Sequence, residues 1–174
     1  MQTSPTLTGP GAVTATATDG TATSTTTAVL TANSFAFTFT QMFPDNDQTS
    51  GSGNVEFLAS AGDQYMITDP RPVRTDPTSD SIFTWDANLM DVLTSTVLYD
   101  THNGGSVTGA LTSGDLYEFS VTTSVFTLGL DPTFMYAPSL TITPGTATPE
   151  NPAPLIPVVL VGLAWLRRRR RTVR

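Results

Sequence analysis

The chain has 174 residues, room for one domain with tails, and with no cysteine and a single histidine it excludes disulfides, thiolate metal sites and multi-histidine metal centres. Apolar residues make up 39% of it and charged residues only 13%, and lysine is absent, so solubility rests on Thr, Ser and Asn side chains. The net charge is −7, yet six of the eight basic residues lie at the C-terminus; the part before Asn151 sets two arginines against fifteen carboxylates, a balance of −13 that argues against nucleic acid as a partner.

Residues 1–11 are rich in Thr, Pro and Gly and read as a flexible N-terminal segment. From Ala12 the pattern alternates, with Val13, Ala15 and Ala17 against Thr14, Thr16 and Thr18, before a turn at Asp19-Gly20. In the extended stretch Thr21 to Gln41, Phe35, Phe37 and Phe39 recur at period two, which predicts a strand with one buried face. Asp45 to Asn54 reads as a polar loop, and Val55 to Ser60 with Gln64 to Thr68 as a hairpin across Ala61-Gly62-Asp63. Pro70, Pro72 and Pro77 make Asp69 to Asp80 a surface connection.

Ser81 to Trp85 and Val92 to Tyr99 resume the strand pattern, followed by a turn at Thr101-His102-Asn103-Gly104-Gly105. Val107 to Leu111 and Leu116 to Thr122 pair across Ser113-Gly114-Asp115, with Tyr117, Phe119 and Val121 facing the core, and Val125 to Leu128 and Leu140 to Thr143 finish the sheet. Gly62-Asp63-Gln64-Tyr65 and Gly114-Asp115-Leu116-Tyr117 share a turn in which Gly permits the bend and Tyr opens the next strand. The expected fold is all-β: an antiparallel β-sandwich, jelly-roll or Ig-like, of about nine short strands over residues 12–143, with a Pro/Thr linker at 144–150.

An enzyme is not expected. His102 is the only imidazole and sits in a turn, Asp100 is too near in sequence to form a working pair with it, and no Gly-x-Ser-x-Gly elbow occurs. No cofactor is expected beyond a possible Ca²⁺ ion: Asp45, Asp47 and Thr49 stand at positions 1, 3 and 5 of a loop with Glu56 at position 12, the spacing of an EF-hand loop, although Ser50 occupies the position that needs Gly and the flanks read as strands. Trp85 and Tyr136, with Phe83, are candidates for stacking on sugar rings, Asp86 being a polar partner for a ring hydroxyl, against the alternative that these aromatics are core.

The C-terminal segment 151–174 is the most informative stretch. Sixteen uncharged residues, Asn151 to Leu166, separate Glu150 from Arg167, Arg168, Arg169, Arg170 and Arg171. A helix of that length reaches about 24 Å, slightly short of a hydrocarbon core of about 30 Å, a gap that snorkelling arginines and local thinning close. The run predicts a transmembrane helix over 153–166 followed by a basic cluster, 167–174. Arginines directly after an apolar run favour the cytoplasmic face, which leaves the preceding body on the other side.

Pro149-Glu150-Asn151-Pro152, the apolar run and the arginine cluster, in that order, resemble the PEP-CTERM sorting signal of bacterial exported proteins, with Asn151 where proline is usual. Gly109 to Tyr117 is also similar to stretches of exported β-domains carrying that signal. The resemblance implies export, recognition by a membrane-embedded exosortase that cuts near the motif, and release to the cell surface or the extracellular polysaccharide matrix; physically it parallels a GPI signal, whose apolar tail is removed. Residues 1–11 lack the basic start and apolar core of a signal peptide, so an export signal is expected upstream of Met1. The expected role is structural or adhesive, the alternative a carbohydrate- or Ca²⁺-binding module held as a single-pass membrane protein.

Overall fold

Phe35, Phe37 and Phe39 all point to one side of their strand, and the rest of the fold covers that side. The structure, a computed structural model, describes residues 9–19, 22–42, 48–74, 82–101, 105–126, 133–145 and 165–166. It is built of two antiparallel sheets with no helix among the described residues.

In the first sheet, β1 (Gly11–Asp19), β2 (Ala22–Leu30) and β3 (Ser34–Met42) run as a meander. It continues through β12 (Ser139–Thr143) and β5 (Gln64–Asp69) to β9 (Gly105–Ala110), while β11 (Thr133–Tyr136) joins β3 to the short β6 (Val73–Arg74). The second sheet is β4 (Gln48–Leu58), β10 (Leu116–Phe126), β7 (Ile82–Asp91) and β8 (Thr96–Asp100), with the two-residue β13 (Trp165–Leu166) on the free side of β4.

The sheets face each other across an aromatic seam. Phe37 meets Phe119 at 5.9 Å between ring centroids and Phe35 stacks on Phe57 at 5.6 Å, each pair joining the two sheets. Val55, Ile67, Leu89, Val121 and Leu140 close the space around the rings, all at 0% exposure. Such rings dominate core energetics because each buries about 150–250 Å². At one end a polar contact replaces them: Gln41 Nε2 donates to Thr123 Oγ1 at 3.3 Å, and that hydroxyl donates to the Gly51 carbonyl at 3.3 Å.

Several elements differ from what the sequence predicts, each for a physical reason. The stretch from Thr21 to Gln41 is two strands, because Thr31 and Ser34 close a turn through a 2.7 Å hydroxyl contact and the Thr31 N–H bonds the Ser34 carbonyl. Val92 opens no strand: Asp91 Oδ1 accepts from the Leu93 and Thr94 N–H groups at 2.8 and 3.1 Å, and that Asx turn holds the chain until Thr96. Leu116–Phe126 is one strand, since Val125 is as buried as Phe119. The shared Gly-Asp-x-Tyr turns form as expected, with φ of 80° at Gly62 and 86° at Gly114.

The largest difference is β4, which starts within the expected polar loop. A Cβ on Gly53 would lie 2.5 Å from a Phe37 ring atom, so the Gly-Ser-Gly run is where the facing aromatics need room, not where the chain turns. Trp165 and Leu166, expected from the sequence to end a helix over 153–166, are extended beside Ser50 and Thr49. The rest of that segment, with Pro149, Glu150, Asn151, Pro152 and the arginine cluster, lies outside the described residues; among those described, no helix is long and apolar enough to cross a membrane.

Gly53→Ala tests the seam. The added methyl must displace a ring already held against Phe39 and Phe119, and overpacking of this kind costs about 1–3 kcal/mol. A denaturant titration should show the midpoint falling with the slope unchanged.

Candidate functional site

At one edge of the sandwich the main core gives way to a smaller cluster of Val125, Phe134 and Phe83. Here the aromatic rings form a ladder that runs to the surface. Trp85 stacks on Phe83 at 5.7 Å and 27°, Phe83 on Phe134 at 5.1 Å and 9°, and the Arg74 guanidinium lies over Phe134 at 5.9 Å. β7 supplies Phe83 and Trp85 from one sheet, β11 supplies Phe134 from the other, and the pairing of β6 with β11 sets Arg74 opposite Phe134.

The ladder borders a hollow of about 370 Å³, completed by Arg71, Pro72 and Ile82. Arg71 and Arg74 are the only basic residues before the C-terminal cluster, so the cations of an otherwise acidic body meet at one aromatic-lined place. Trp85 also borders a second hollow of about 320 Å³, lined by Asp86 and by the hydroxyl residues Ser50, Ser52, Thr84, Thr122 and Ser124. One partly buried indole therefore separates a cationic, apolar surface from an acidic, hydroxylated one. That combination suits a ligand with flat apolar faces, hydroxyls and a negative charge.

No family model, curated protein or solved structure matches this chain.

Trp85 is partly buried and borders both hollows. Tyr136 is 1% exposed, so the expectation that it stacks on a ligand is corrected. Its hydroxyl donates to Asp69 Oδ1 at 2.5 Å, while the Tyr99 hydroxyl donates to Asp69 Oδ2 at 2.6 Å. Asp69 ends β5, Tyr136 ends β11 in the same sheet, and Tyr99 belongs to β8 in the other, so one buried carboxylate ties the sheets together just behind the ladder. Burial, then the hydrogen bond to Asp69 and its negative charge, push both phenols well above their ordinary value of 10.0.

The expected EF-hand-like spacing falls partly on a strand. Thr49 and Glu56 belong to β4, and Glu56 is exposed on the outer face, where an extended backbone cannot wrap an ion. Asp45, Asp47 and His102 lie outside the described residues. Among the described residues no three His, Cys, Asp or Glu side chains are grouped to hold a metal ion.

Sequence reasoning passed over Arg71, Arg74 and Phe134. Their signal was present, since two arginines three apart, flanking Pro72, are the body's whole cationic complement. What the sequence could not give was β11, the four-residue strand that carries Phe134 to them.

The Asp69 node makes stability fall at alkaline pH. Tyr99 and Tyr136 hold their protons more tightly when folded, so their contribution is complete below the unfolded pKa near 10 and is lost as pH rises above it toward the folded values. Urea melts from pH 8 to 11 should show that loss, and Tyr136→Phe should make it shallower while lowering stability at pH 8 by about 1–3 kcal/mol, the worth of a hydrogen bond to a charged group.

Proposed function

We propose that this protein is an exported, all-β component of a bacterial cell envelope, sorted through its C-terminal segment, with a structural or adhesive role at the cell surface or in the extracellular matrix. The observation that carries the reading is the order of Pro149-Glu150-Asn151-Pro152, sixteen uncharged residues and Arg167 to Arg171. The apolar segment inserts as a helix, the arginines stay at the cytoplasmic face, and an exosortase-type enzyme processes the junction. A body that is acidic, rich in threonine and free of cysteine suits that exterior.

Membrane entry requires Trp165 and Leu166 to leave β4. Two residues of pairing are held by a few hydrogen bonds worth about 0.5–1.5 kcal/mol each. Eight Leu, Ile and Val side chains between Asn151 and Leu166 gain about 0.3–0.6 kcal/mol apiece at the bilayer centre. The two sums are of like size, so the pairing is no bar to insertion.

Replacing Arg167 to Arg171 by glutamine in the exporting host tests the reading. Intact-mass analysis should find the parent product processed near Glu150 in the envelope or medium, and the variant unprocessed or mislocalised. Recovery of the parent in the cytosol with its C-terminal segment uncut contradicts it.

A second reading, favoured by Trp85 between its two hollows, is that the body binds a carbohydrate bearing carboxylates, such as an acidic exopolysaccharide. Trp85 stacks on the ring, Arg71 and Arg74 meet the carboxylate, and Asp86 takes a hydroxyl. Calorimetry with oligouronides should show binding that weakens at least tenfold in Trp85→Ala and in Arg71→Ala. Neutral oligosaccharides of equal length should depend on Trp85 alone.

A further inference from the structure

The two outer faces of the sandwich differ sharply. The second sheet presents Glu56, Glu118, Asp86 and Asp100 outward. On the first sheet, no outward position of a described strand holds a charged residue or an aromatic ring.

Its surface is made of hydroxyls and methyls in register. Thr14 faces Thr27, which faces Thr38; Thr16 faces Thr25, which faces Thr40. The Thr14–Thr27 and Thr16–Thr25 hydroxyls lie 3.1 and 3.3 Å apart, so these hydroxyls already have partners within the sheet. Into this lattice are set Val29, Met42, Met66, Val73 and Met135, exposed by 43, 47, 42, 64 and 49%. Five of the nine large apolar side chains exposed among the described residues are therefore on this one face. Three of the chain's five methionines are among them, and methionine is enriched where protein surfaces meet.

We infer that this face is an interface between two copies of this chain. The absence of charge decides it. A body carrying −13 repels its own copies, and only a surface without carboxylates lets two of them touch without desolvating charge. A carbohydrate is disfavoured by the lack of any aromatic platform, and a charged partner by the lack of anything to pair with it. The size also fits. Six strands at about 4.8 Å spacing and about 3.3 Å per residue outline roughly 700 Å², against about 800 Å² per partner in a standard interface. Two such faces related by a two-fold axis pack as aligned sheets do, each presenting the same rows to the other.

The absence of native cysteine makes the test direct. Single substitutions Met66→Cys and Met135→Cys, in the full chain, place a thiol on this face, and Val97→Cys places one on the other sheet at 51% exposure. A short bis-maleimide at micromolar protein should give covalent dimers with the first two and not the third. Met66→Lys with Met135→Lys should weaken dimer formation at least tenfold by light scattering, leaving the far-UV circular dichroism spectrum unchanged, and added salt should not dissociate the parent dimer. Equal cross-linking at all three positions, as association through the C-terminal segment would give, overturns the inference. So does a monomeric parent, including one whose double lysine variant loses binding to a neutral polysaccharide.

Discussion

The structure depends on the contact between Phe35 and Phe37 of one sheet and Phe57 and Phe119 of the other. No disulfide and no helix among the described residues supplements it. Everything near the seam accommodates it. β4 gives up side chains at Gly51 and Gly53 to admit the rings, and Asp69 accepts two tyrosine hydroxyls where the seam approaches the edge. A buried carboxylate is costly unless its oxygens are satisfied, and here one hydroxyl meets each oxygen. The same residue that holds the sheets together therefore fixes Tyr136, against which Trp85 and Phe83 rest.

Once the seam is set, charge is distributed by exclusion. The interior takes the aromatics, the outer face of the first sheet takes threonine and methyl groups, and acidic side chains collect on the second sheet's outer face and at strand ends. The two arginines of the body remain, and both fall beside the ladder of Phe134, Phe83 and Trp85. Three surfaces of different chemistry result: a cationic aromatic hollow, a hydroxyl-lined hollow beside it, and an uncharged sheet face. On the reading proposed here, an envelope protein uses them to hold matrix carbohydrate and to associate with its own kind.

Strands whose side chains alternate cleanly were legible in the sequence. The Phe35-Phe37-Phe39 run, the Ala and Thr alternation from Ala12, and the tyrosines that open β5 and β10 all declare a buried side locally. What misled was composition without context. Thr49-Ser50-Gly51-Ser52-Gly53-Asn54 has the residues of a loop, and only the Phe37 ring across from Gly53 explains why it is a strand. Val92-Leu93 has the residues of a strand, and only the Asp91 carboxylate explains why it is a turn. Tyr136 and Trp85 are both aromatics on strands, and their opposite fates follow from which of them reaches Asp69. That partner is distant in sequence and carries no local signal. The hollow was illegible for the same reason, being assembled from β6, β7 and β11, whose proximity is a property of the sheet order.

The central claim is that the acidic body lies across a membrane from the arginine cluster. Limited proteolysis of spheroplasts from the exporting host, read with an antibody to the body, tests this most directly. Added protease should degrade the body in intact spheroplasts while a cytoplasmic marker survives. A body protected until the membrane is dissolved would contradict the claim.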